Sequence, residues 1–240
     1  MRTRFRAPIA LAMLATAMPA LAQEVIVTAQ RRNYNASDSG YNNSLPATAR
    51  PVVNLKRMAD YIVLPVRAVN DTRDATTRQN DLNATIRNAI ATADKAGVEL
   101  AIGDYVLERL TLANTTRLTF SGDGRPDTSQ TMFLAKIRVT PGMDLNSARE
   151  RIDQYLAAVS KAGRSRIQSW GEPTLSVVNP DQYRPQIIDL IAADAAASAA
   201  KFGPGYGVEV SGLDRPVEWA RAGPVEVFLY LPAAYTVRRD

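Results

Sequence analysis

Between residues 61 and 69, Tyr61, Ile62, Val63, Leu64, Val66 and Val69 form an apolar, largely β-branched stretch of strand length. Pro65 interrupts it, and a residue without an N–H points to an edge strand or a bulge. The period then lengthens. Ala75, Leu82, Ile86, Ala89, Ile90 and Ala93 keep three-to-four spacing, with Asp71 and Asp74 placed as N-cap and N3 and Gly97 as the stop, which predicts a helix. Residues 98–112 predict one or two strands, 116–120 another and 132–140 a further one, with Ser121, Gly122, Asp123, Gly124, Arg125, Pro126 and Asp127 as turn chemistry between the last two. Leu145, Ala148, Ile152, Leu156 and Val159 mark one face of a second helix, capped by Asp144 or Asn146 and stopped by Gly163. A strand at 174–178, a third helix running from Asn179-Pro180-Asp181 or Pro185 to Gly203, and strands at 207–211 and 225–231 complete the series.

This order predicts an α+β fold, with mixed or antiparallel sheets packed by about three helices. Two strand-helix-strand halves, roughly 50–112 and 116–178, suggest a degenerate duplication.

Ahead of that domain the chain changes character twice. Arg2, Arg4 and Arg6 precede an apolar run over residues 9–18, and Ala20-Leu21-Ala22 offers small residues at the positions a signal peptidase inspects. The reading is a signal peptide over residues 1–22, cleavage before Gln23 and a periplasmic location. Residues 33–49 are rich in Asn, Ser, Asp and Gly and poor in large aliphatic residues, as in a linker. The expected organisation is a signal peptide at 1–22, a peptide and linker at 23–49, and a folded domain at 50–240.

The peptide between signal and linker, Glu24-Val25-Ile26-Val27-Thr28-Ala29-Gln30-Arg31-Arg32, resembles the TonB box and plug-entry segment of TonB-dependent outer-membrane receptors. Too little chain follows to build a receptor barrel. Val25 and Val27 alternate with Ile26 and Thr28, which suits edge addition to a sheet. Glu24, Val25, Ile26, Val27, Thr28 and Ala29 are therefore the candidate partner-binding residues, and TonB or a related envelope protein the candidate partner. The same alternation also fits pairing with the domain's own sheet edge, or a tail left by signal cleavage.

Charge and residue classes narrow the chemistry. The chain carries 29 Lys and Arg against 24 Asp and Glu. Removing residues 1–22 takes away three arginines and no acid, so +5 becomes +2, too small to point to nucleic acid. No apolar stretch beyond the signal approaches the ~20 residues of a membrane span. Cysteine and histidine are both absent, which removes disulfides, thiolate and imidazole metal sites and every Ser-His or Cys-His arrangement.

What remains for catalysis is carboxylates, Lys, Tyr and Ser/Thr. Asp60, Glu99, Asp104, Glu108, Asp123 and Asp127 lie nearest turns or strand ends and read as solvated surface groups. Asp123 to Asp127 lacks the terminal acid of a calcium loop, and no lysine follows the glycines as a P-loop requires. Asp189 and Asp194 sit ~140° apart on their helix, so one is expected to need a partner such as Arg215 or Lys201. Trp170, Trp219, Tyr183, Tyr206, Tyr230 and Tyr235 read as packing residues or as a groove or oligomer contact.

Residues 59–64 (Ala59-Asp60-Tyr61-Ile62-Val63-Leu64), Lys95-Ala96-Gly97-Val98, the stretch 133–167 with Ala162-Gly163, and the alanine-rich stretch 189–203 together resemble the SIMPL-domain family of bacterial envelope proteins. The resemblance covers about 50–232 and departs from the family at Ala59, where proline is usual. It implies a periplasmic protein without established catalytic residues. The expectation is a non-enzymatic periplasmic interaction protein, with no cofactor and no metal, docking to TonB through its N-terminal peptide. The alternative is a self-assembling structural or stress-protective envelope protein, and thus a homo-oligomer.

Overall fold

The computed structural model describes residues 23–27, 52–104 and 106–239. The strands are β1 (Glu24–Val27), β2 (Leu55–Met58), β3 (Tyr61–Asn70), β4 (Glu99–Ile102), β5 (Val106–Arg109), β6 (Ser129–Arg138), β7 (Arg166–Ser169), β8 (Thr174–Val178), β9 (Tyr206–Ser211), β10 (Glu218–Arg221), β11 (Glu226–Tyr230) and β12 (Ala234–Arg239). The helices are α1 (Ala75–Ala93), α2 (Leu145–Ala158) and α3 (Arg184–Ala200), as an α+β fold with about three helices requires.

The first two helices start where a side chain satisfies an early N–H group. Asp74 caps α1 by accepting from the Thr77 N–H at 2.7 Å. Asp71, read from sequence as the N-cap, instead pairs with Arg164 at 2.7 Å and Arg166 at 3.5 Å. Gly97 closes the 3₁₀ turn after α1 at φ 67°, a left-handed conformation that suits glycine. Asp144 and Ser147 form a capping box on α2, which ends at Ala158, before Gly163. Residues 116–120 are not a strand. Asn114 accepts from the Thr111 N–H at 2.7 Å, and the chain turns through a 3₁₀ segment, Thr115–Arg117, local bonding that displaces a ladder.

Six strands close into a barrel in the order β3–β6–β4–β5–β1–β8, with β8 returning to β3, and β7 extends the sheet from β3. All of these strand pairs are antiparallel. β3 is neither an edge nor bulged. It pairs with β6 over its full length, while its other side pairs first with β8 (Tyr61 to Val63) and then with β7 (Val66 to Val69). Pro65 occupies the change of partner, where an N–H would face the gap between two strands, and its carbonyl accepts from the Trp170 N–H at 2.8 Å.

The duplication is visible in the register. A shift of 68 residues carries β3 onto β6 and β5 onto the first four residues of β8. The same shift turns the β4–β6 pair Glu99↔Lys136 into the β7–β3 pair Ile167↔Ala68. The symmetry breaks once: β5 stays on β4, whereas β8 leaves β7 and joins β3. That break opens a seam between β5 and β8, and β1 fills it. Glu24–Val27, placed by sequence in a segment ahead of the domain, is thus a strand of the main sheet. Its Val25 and Ile26 side chains are buried by its own fold.

Outward-facing residues of the barrel (Leu64, Val66, Phe133, Ala135, Ile137) meet Leu82, Ile86, Ile152 and Leu156 of α1 and α2. A second core joins Val25, Ile62, Leu175 and Val177 to Ile187 and Ile191 of α3 and to Val227 and Leu229 of the three-stranded sheet β10–β11–β2. A third cluster, Ile26, Tyr61, Val63, Ala101 and Leu107, takes the opposite strand parity and fills the barrel interior. The two-stranded sheet β12–β9 packs on α3. No helix among the described residues is long and apolar enough to cross a membrane.

Ile86 is 1% exposed between α1 and the sheet. Ile86→Ala is expected to lower unfolding free energy by about 2–5 kcal/mol, read from the urea midpoint at constant m-value.

Candidate functional site

The alternation of Glu24-Val25-Ile26 divides the peptide between two environments. Val25 points into the core under α3, and Glu24 and Ile26 take the interior parity. β1 pairs with β8 from Glu24↔Val178 to Val27↔Leu175, and with β5 at Glu24↔Leu107 and Val25↔Val106. The Asn179 N–H donates to the Gln23 carbonyl at 2.5 Å, extending the β8 ladder. Among the described residues, β5 does not flank the strand beyond Val25. There the Trp219 indole N–H donates to the Ile26 carbonyl at 3.1 Å.

Glu24 is 7% exposed, and a carboxylate so buried needs partners. Lys136 of β6 forms an ion pair with it, and the Ser176 hydroxyl donates to its other oxygen at 2.6 Å. Lys136 also lies 3.3 Å from Glu99 and has its ammonium 4.1 Å from the centre of the Tyr61 ring. The Tyr61 hydroxyl donates to Glu99 at 2.9 Å and accepts from Arg138 at 2.8 Å. The network therefore joins β1, β3, β4, β6 and β8. Burial, reinforced by the hydrogen bond to Glu99, pushes the Tyr61 phenol up to about 12. Burial also pulls Glu99 upward, but the Tyr61 hydrogen bond and the Lys136 charge outweigh it and hold the carboxyl below its ordinary value.

Of the predicted partner-binding residues, Glu24, Val25 and Ile26 are buried in the seam and Val27 is the last residue of the strand. Thr28 and Ala29 lie outside the described residues. In this conformation both edges of the strand are occupied over Glu24 and Val25 by its own sheet.

The other carboxylates are dispersed. Asp60 pairs with Arg57 at 2.8 Å and accepts from the Val178 N–H at 2.8 Å. Glu108 accepts from Asn114 at 2.9 Å and pairs with Arg117. Asp104 and Asp127 are exposed. Asp123 is claimed by Arg67 at 3.2 Å, Arg125 at 2.5 Å and the Thr128 hydroxyl, so its turn is internally satisfied. Asp194 finds the Tyr235 hydroxyl at 2.8 Å in place of Arg215 or Lys201, and Asp189 is exposed. No group of three or more Asp or Glu side chains among the described residues could hold a metal ion.

Sequence reading missed Lys136 and Ser176, and named Trp219 only as a packing, groove or oligomer residue. A signal existed for the first. Lys136 stands alone among Phe133, Leu134, Ala135 and Ile137, at the strand parity of the interior, just as Glu24 stands alone before Val25-Ile26-Val27.

No family model matches the chain, and no curated protein does. Among solved structures, an uncharacterized conserved protein from Listeria innocua aligns over 75% of this chain and 92% of its own at 12% identity, with a TM-score of 0.14.

Glu24→Gln leaves Lys136 with Glu99 alone and is expected to destabilise the fold by about 2–4 kcal/mol in urea unfolding, whereas Glu24→Gln with Lys136→Met recovers most of that loss. Because the Glu99 pKa is lowered on folding, its contribution is complete above the unfolded pKa and disappears as pH falls through the folded one. Stability measured against pH should accordingly show a flatter acid limb in Glu99→Gln than in the parent.

Proposed function

We propose that this chain is a non-enzymatic interaction protein of the cell envelope, SIMPL-like, exported to the periplasm by residues 1–22. Its interacting element is the Glu24–Ala29 segment, which docks to TonB or a related envelope protein by leaving the barrel. The reading is carried by how Glu24–Val27 is held: a four-residue strand, connected through residues 28–51, lying in a seam between two complete halves.

Cleavage after Ala22 would leave Gln23 as the first residue, so the strand could withdraw without drawing chain through the sheet. The energetics favour a removable strand. Burying Val25 and Ile26 stabilises by about 1.5–3 kcal/mol each, and ordering four residues opposes this by about 1–2 kcal/mol each. These nearly cancel, leaving the ladder hydrogen bonds and the Lys136–Glu24 pair to decide occupancy. Once released, the main-chain edges now used by β5 and β8 are the ones a partner sheet would engage.

Self-assembly is supported by a different observation. The outer edges of the β12–β9 sheet have no partner strand among the described residues. Beside it Phe202 and Tyr206 lie with ring centres 5.8 Å apart and 62% and 39% exposed. A concentration-dependent oligomer that persists when residues 23–32 are deleted would favour this second reading.

Docking is tested by titrating the mature protein with a purified TonB C-terminal domain. Glu24→Gln loosens the seam and is expected to tighten apparent binding about tenfold or more, because the released fraction scales the apparent Kd. Ile26→Pro also loosens the seam but removes a donor from any added strand, and is expected to abolish binding. No binding by the parent or by Glu24→Gln would overturn the docking role.

A further inference from the structure

The seam is chemically selective in a way that its main-chain edges alone do not require. With β1 withdrawn, Lys136, 5% exposed, would keep only Glu99 as a carboxylate neighbour, and Ser176, fully buried, would lose the carboxylate it donates to. Val178 and Leu107 flank the position that Glu24 fills. A peptide entering with a carboxylate there restores the pair. One entering a residue out of register would drive that carboxylate into the apolar core around Val25, Val177 and Ile187.

We propose that the seam between β5 and β8 is a binding site for an extended peptide carrying a carboxylate at the position facing Lys136, and that its occupant in trans is the Glu24–Val27 strand of a second copy of this chain. The proposal rests on the release of β1 argued above. Every contact β1 makes within one chain is remade when it enters another copy, so exchange requires no new complementarity. Residues 28–51 number 24 and span at most ~80 Å, enough to carry the strand to a neighbouring barrel. Tethering gives the chain's own strand an effective concentration in the millimolar range, so the exchanged form is a minor species that rises with protein concentration.

The absence of cysteine makes this testable on the intact mature chain. Val25 and Val177 are register partners, a spacing that a disulfide accommodates. Val25→Cys and Val177→Cys in one chain should form an internal disulfide under oxidised glutathione, which verifies that both substitutions fold and pair. A Val25→Cys chain mixed with a Val177→Cys chain should then yield a linked heterodimer that increases with concentration. An excess of free peptide spanning residues 23–32 should suppress the heterodimer, and the same peptide carrying Glu24→Gln should need about tenfold more to do so, because a free peptide has no seam of its own to leave.

Two results would overturn the proposal once the internal control forms. One is Val25→Cys chains linking to Val177→Cys chains no faster than to each other; the other is the Glu24→Gln peptide suppressing the heterodimer as well as the peptide that keeps Glu24. Binding of the TonB domain enters neither result, so the docking reading and this one fail separately.

Discussion

A barrel closes only when each strand finds a neighbour on both edges, and the two β-α-β-β halves of this chain leave one pair of edges unjoined. β5 remains on β4 and β8 crosses to β3, so the equivalent strands of the two halves face each other across a space one strand wide. Main-chain N–H and C=O groups lining that space need partners. Glu24–Val27 supplies them on both sides. The sealed interior, the burial of the ion-pair network and the second hydrophobic core all follow from that insertion.

The interior network sets register more than it adds stability. A buried pair is weak evidence of a net gain, because removing two charges from water offsets much of their attraction. What the pair does is penalise alternatives. Lys136 projects from a ten-residue strand, flanked in the sheet by Val63 and Glu99, and is itself buried. Only a strand with an acid at one particular position satisfies it together with Ser176. A neutral strand of the same hydrophobicity would fill the volume and leave the cation with Glu99 alone.

The helices were legible because three-to-four spacing and acidic caps are local properties: of Asp144 and Asn146 it is Asp144 that caps α2, whereas the cap of α1 was misplaced at Asp71, which the tertiary pairing with Arg164 draws away, leaving the cap to Asp74. The duplicated halves were legible in outline, since element order survives where residue identity does not. Pro65 misled because the edge rule assumes that one strand runs along the whole side of another, whereas β3 changes partner at that residue. The short strands β7 and β10 lack a distinct apolar alternation and are defined by the neighbours that pair with them. For Glu24–Val27, periodicity indicated a strand between two faces, and that pattern is the same whether the neighbouring strand belongs to the same chain or to another. Lys136 stands out locally as a lone cation in an apolar strand, but its pairing with Glu24, like the bonds from Ser176 and Trp219, spans more than a hundred residues, beyond the reach of any local pattern.

The contacts of β1 are unevenly distributed along it, and this bears on how it can leave. Glu24 and Val25 are paired on both sides, and Glu24 carries the ion pair; Ile26 and Val27 pair with β8, with Trp219 covering the Ile26 carbonyl. The ion pair makes the leading end of the strand the latched one. Fraying from the Val27 end stops at Val25, whose side chain lies among Val177, Ile187 and Val227, and whose displacement would open the core beneath α3. Passing that point breaks the Glu24–Lys136 pair and the β5 ladder together. Withdrawal is therefore closer to a two-state event than to gradual peeling, with the occupied seam and the released strand as its end states.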